Sequence, residues 1–94
     1  MKNKREIIIS NIEKEFLGNT IDLEKNQMNI SLKKRLEVNI VFEDTEVLIT
    51  PKGSLLGIYY ISRENSQILE NAISRIKSIL ATENIYPIII TRHA

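Results

Sequence analysis

Between Leu36 and Glu43 the chain alternates in a way that permits one local structure. Leu36, Val38, Ile40 and Phe42 fall on one side of a two-residue period, while Glu37, Asn39 and Glu43 mostly fall on the other. Only an extended strand points successive side chains to opposite faces, and a strand with one apolar face is half-buried in an antiparallel sheet. The same period holds just upstream. Ile21 and Leu23 alternate with Asp22 and Glu24, and Met28, Ile30 and Leu32 alternate with Asn29 and Ser31, with Lys25, Asn26 and Gln27 as the turn between them.

Downstream, Asp44 and Thr45 interrupt and Val47, Leu48 and Ile49 resume, which places a hairpin near Asp44. Pro51, Lys52, Gly53 and Ser54 read as a second turn, and Leu55 to Ile61 as a nearly continuous apolar strand.

The period changes to 3.6 at both ends. Ile8, Ile9, Ile12 and Phe16 form a helical stripe ending before Gly18, although three consecutive isoleucines also favour a strand over Glu6 to Ser10. Ile68, Leu69, Ala72, Ile73, Ile76, Ile79 and Leu80 form a longer stripe. Ser62, Asn65 and Ser66 are cap candidates, the end falls near Thr82, and Glu64 and Glu70 precede Arg75 and Lys77 as the helix dipole prefers. Tyr86 to Thr91 reads as a last strand that starts at Pro87 or lies at an edge, because proline donates no amide hydrogen.

The expected order is α-β-β-β-β-β-α-β, a single α+β domain over residues 1–94. It is a two-layer sandwich whose mostly antiparallel sheet of five to six strands is packed by an N-terminal and a long C-terminal helix. If both helices share one face, Val41, Leu48, Leu56, Ile58 and Tyr60 fall on the other and form an apolar patch that a partner or a second copy would cover.

Ninety-four residues support one core without staples. The chain has no cysteine, which excludes disulfides, a thiolate nucleophile and a cysteine zinc site and reads as cytoplasmic. Lys2, Lys4 and Arg5 resemble the start of a signal peptide, but the apolar run after them ends at Ile9, and no segment approaches the roughly 20 apolar residues of a membrane span. The isoleucine, asparagine and lysine bias is that of AT-rich coding sequence, as in a low-GC organism or a mobile element.

The net charge of +1 conceals an acidic middle. Glu43, Asp44 and Glu46 crowd the expected hairpin tip without the spacing of a calcium loop, so they read as a solvated turn offering negative charge to a basic partner. Lys33, Lys34 and Arg35, with the N-terminal basic residues, are candidates for nucleic-acid contact, but no nucleic-acid-binding motif accompanies them, and lysines at a strand junction also block edge aggregation. Tyr59 and Tyr60 face opposite sides of a strand, and one of them is an interface candidate. His93, the only histidine, has no fixed partner in the pattern around it, and Lys52-Gly53-Ser54 lacks the earlier glycine and following helix of a phosphate loop.

These residues fit binding better than catalysis, and no cofactor or metal site is expected. The leading reading is a non-enzymatic protein-interaction domain: an inhibitor, regulator or adaptor of phage or mobile-element type, bound to another protein or to itself as a homodimer. The interface would use Glu43, Asp44, Glu46, Leu56, Ile58 and Tyr60. The alternative is a nucleic-acid binder using Lys33, Lys34 and Arg35. A carboxylate enzyme built on Glu43, Asp44 and Glu46 is the remotest option.

Overall fold

The computed structural model describes residues 4–33, 35–53 and 63–90. Helix α1 (Lys4–Glu15) leads into β1 (Thr20–Leu23), β2 (Gln27–Lys33), β3 (Leu36–Phe42) and β4 (Val47–Gly53), then α2 (Arg63–Ala81) and β5 (Ile88–Ile89). The class is α+β. The five strands form one sheet in the order β1-β2-β3-β4-β5; the first four are antiparallel neighbours and β5 runs parallel to β4. Among the described residues no helix is long and apolar enough to cross a membrane. The expected strand over Leu55 to Ile61 lies outside the described residues.

Alternation sets which side of the sheet is dry. Met28, Ile30, Leu36, Val38, Ile40, Phe42, Val47 and Ile49 point to one face and are buried. Against them pack Ile8, Ile12 and Phe16 of the α1 segment and Leu69, Ala72, Ile76 and Leu80 of α2, in a single core. Both helices therefore cover the same face. The three isoleucines of α1 are helical rather than extended, because the three- and four-residue spacing of Ile8, Ile12 and Phe16 reaches this core and outweighs local strand preference.

An arginine clamps the two helices together. Arg75 donates from Nε to Glu15 Oε2 at 2.8 Å and from Nη2 to the Glu15 carbonyl at 2.7 Å, and its guanidinium lies 4.3 Å from the Phe16 ring centroid. One side chain thus joins α2 to a carbonyl left open at the end of α1. Gly18 beyond it adopts a left-handed φ of 95°.

The end of α2 is a Schellman closure. Ile85 N–H donates to the Leu80 carbonyl at 3.0 Å and Asn84 N–H to Ala81 at 2.9 Å, with Asn84 at φ 61°. Ile85 packs against the core behind it. The expected charge order holds only at the start of α2, where Glu64 occupies the first turn; the last turn carries no basic residue.

Pro51, Lys52 and Gly53 are strand rather than turn, paired with Val38, Glu37 and Leu36. Ile49 accepts from Ile90 N–H at 2.8 Å, so its polar backbone groups point to the β5 side. Those of Pro51, two residues on, point the same way and not toward β3. The proline therefore removes no bond from the β3–β4 ladder. A strand tolerates proline where its nitrogen faces an edge.

Candidate functional site

The face of the sheet opposite the helices is mostly polar. Strand register places Thr20, Ser31, Glu37 and Lys52 in one row across it and Asp22, Asn29, Asn39 and Thr50 in the next. A third row runs Gln27, Val41, Leu48, Ile88. Among the described residues no helix covers these rows. Of the expected apolar second face, the described residues hold Val41 and Leu48, both half-buried, and Ile88, 48% exposed, lies beside them in the same row. Leu56, Ile58, Tyr59 and Tyr60 lie outside the described residues, as do Arg92 and His93.

Three amides on this face are held by one another. Asn39 Nδ2 donates to Gln27 Oε1 at 3.2 Å and to Asn29 Oδ1 at 3.4 Å. Asn29 Nδ2 donates to Glu37 Oε1 at 2.8 Å, and Gln27 Nε2 donates to Glu24 Oε1 at 3.0 Å. Ionised carboxylates only accept, so Glu24 and Glu37 orient Gln27 and Asn29, whose oxygens then face the Asn39 amine. Four of the six amide hydrogens are spent along this chain, which ends on the two carboxylates, and one hydrogen each of Gln27 and Asn29 stays outside it. What this leaves pointing outward is mainly acceptor: Asn39 Oδ1, the spare lone pairs of Glu24 and Glu37, and the exposed Asp22 beside Asn29.

The acidic turn joins this face at one end. Glu43, Asp44 and Glu46 are all exposed between β3 and β4, where Glu43 N–H donates to the Glu46 carbonyl at 2.9 Å. They adjoin Val41 and Leu48, which are paired across the two strands. Among the described residues no group of three or more histidine, aspartate or glutamate side chains is placed to hold a metal ion. The turn is a charged rim to the apolar row.

The basic candidates are dispersed. A register shift between Ser31 and Lys33 sets Lys33 opposite the inward-facing Leu36, and its ammonium sits 3.5 Å from Glu64 of α2. The irregularity thus turns Lys33 to the helical side, away from the polar face. Arg35 is exposed at φ 62° in the β2–β3 turn, and Lys34 is outside the described residues. Arg5 lies at the opposite end of the strands, donating to the Lys25 carbonyl at 2.9 Å with its guanidinium 5.3 Å from the Phe42 ring centroid. Among the described residues, Lys33, Arg35 and Arg5 thus point to three separate places.

Among the described residues, open grooves run along both sides of α2. One, of about 610 Å³, runs between α1 and α2 beside the Arg75–Glu15 pair. The other, of about 410 Å³, lies between α2 and the β4–β5 edge, floored by Pro51, Leu69, Ile73 and Ile89. Among the described residues no polar or charged side chain is buried, so neither groove has a sequestered titratable group of the kind catalysis uses.

The chain matches no family model, no curated protein and no solved structure.

Alternation reads Asn29 and Asn39 as ordinary outward polar residues and Gln27 as part of a turn, whereas Gln27 is the first residue of β2 and the three side chains meet. The signal that finds them is register. Pairing Lys33 with Leu36 around a two-residue turn and allowing one irregularity sets Asn29 opposite Asn39.

Proposed function

We propose that this domain acts by binding another protein through the open face of its sheet, as a non-catalytic inhibitor, regulator or adaptor. The observation that carries this reading is the amide network. A face whose amide side chains are already held by one another and by Glu24 and Glu37 gives up little rotamer freedom when a partner lands on it. Val41, Leu48 and Ile88 supply apolar contact at the edge of that face, and Glu43, Asp44 and Glu46 supply a charged rim, the usual division of an interface into core and periphery. A chain without cysteine accords with a cytoplasmic setting.

A photo-crosslinking residue introduced at Thr50, on the open face, and separately at Glu70, on the exposed side of α2, tests the reading in the source cells. Discrete adducts from position 50 and none from position 70 are expected, with an adduct of twice the chain mass if the partner is a second copy. Adducts from position 70 alone, or none from position 50, refute it.

A further inference from the structure

We infer that the partner of the open face is a cationic polypeptide segment, arginine-bearing and extended, which runs along β2 and β3 and sets an apolar side chain on Val41 and Leu48. This rests on the protein-binding reading and adds the partner's chemistry.

Hydrogen-bond direction carries the argument. A carboxylate offers about four lone-pair sites and a side-chain amide two acceptor sites and two donors. Asn39 spends both amine hydrogens inside the network, and Asn29 and Gln27 each spend one. The outward surplus is therefore acceptors, concentrated on Asp22, Glu24, Glu37 and Asn39. A ligand that matches it must bring donors, and one rich in acceptors, such as a phosphate chain or an acidic peptide, meets lone pairs with lone pairs.

Charge points the same way. Among the described residues, the face and its adjoining turns carry Asp22, Glu24, Glu37, Glu43, Asp44 and Glu46 against Lys25, Arg35 and Lys52. Arginine matches better than lysine here, because its planar fork engages two acceptors at once, and Asp22 shares the row of the Asn29–Asn39 pair while Glu37 stands in the next. The alternate side chains of an extended segment fall at the two-residue repeat of the strands beneath, so one reaches Val41 and Leu48 while the others meet the acceptors.

The experiment titrates the isotope-labelled full chain with a short extended peptide that carries arginine, arginine and valine at every second position with serine between them, at an ionic strength where the screening length exceeds about 10 Å. A glutamate–valine peptide and a single-stranded oligonucleotide serve as the other arms. Backbone amide shifts confined to the neighbourhood of Asn29, Glu37, Asn39 and Val41 are expected with the arginine peptide alone. The paired substitution Asp22→Asn with Glu37→Gln, which keeps an acceptor for Asn29, should weaken binding by roughly fivefold, as two exposed charge contacts are lost. Equal binding of the glutamate peptide or the oligonucleotide, shifts confined to the helices, no binding, or an unaffected double variant would each overturn the inference. Its failure is separable from that of the broader reading. Crosslinks from position 50 without arginine-peptide binding mean a protein partner of other chemistry, and the absence of both removes both.

Discussion

Replacing Arg75 tests whether the two helices are joined by geometry or merely by charge. The side chain makes three contacts: an ion pair with Glu15, a hydrogen bond to the Glu15 carbonyl and stacking on Phe16. The ion pair is nearly half exposed on both sides and contributes about 0.5 kcal/mol. The bond to the carbonyl contributes about 1 kcal/mol and the stacking about 0.5 kcal/mol. Arg75→Ala should therefore cost about 2 kcal/mol, against a total stability of roughly 5 to 14 kcal/mol for a domain this size. Arg75→Lys keeps the charge but loses the fork and the planar stack, and should still cost about 1 kcal/mol. Glu15→Gln removes only the charge and should cost about 0.5 kcal/mol. Chemical denaturation followed by circular dichroism reads all three, with unchanged slope showing that stability alone has moved. In a thermal scan the alanine variant should melt on the order of 10 °C below the parent. If Arg75→Lys unfolds at the parent's midpoint, or Glu15→Gln costs as much as Arg75→Ala, charge rather than shape joins the helices and the reasoning fails.

Ile40, fully buried in the central strand, should cost about 3 to 4 kcal/mol when changed to alanine, since three carbons are lost and a cavity remains, and the same denaturation series measures it. Asn84→Gly should be close to neutral and Asn84→Ala should lower stability by about 1 kcal/mol, because only the alanine pays for the left-handed φ at the end of α2; equal effects would contradict the cap. Asn39→Ala should cost at most about 1 kcal/mol, as its partners remain open to water, and a much larger loss would mean the network is structural. Calcium should leave the melting temperature unchanged, because Glu43, Asp44 and Glu46 form no chelating set.

The elements that could be read from the sequence are those whose side chains repeat a pattern over several turns or residues. β3 alternates cleanly over its whole length and α2 carries its stripe from Ile68 to Leu80, more than three turns, so both emerge at nearly their observed bounds. Pro87 likewise announces an edge strand, and β5 lies at the edge. The misreadings come where a single residue outvotes its neighbours. Pro51 looks like the start of a turn because its tolerance in a strand depends on which way its nitrogen faces, and only the pairing partner decides that. Lys33 looks outward by alternation, and one irregular residue reverses it. The amide network depends on which residues of two strands stand opposite, a relation between distant positions that no window along one strand contains. The α+β class could thus be read from the sequence, whereas the open face is largely a product of register.

Pro51 also limits how far the sheet can grow. A strand laid beside β4 beyond Ile49 would look for an amide hydrogen at position 51 and find a ring carbon instead. Growth of the kind that builds fibrils adds one whole strand at a time and needs every rung of the ladder. With a rung missing on the β5 side of β4, a copy added along β4 past Ile49 would lack one of its bonds, which weakens that stretch as a template for growth.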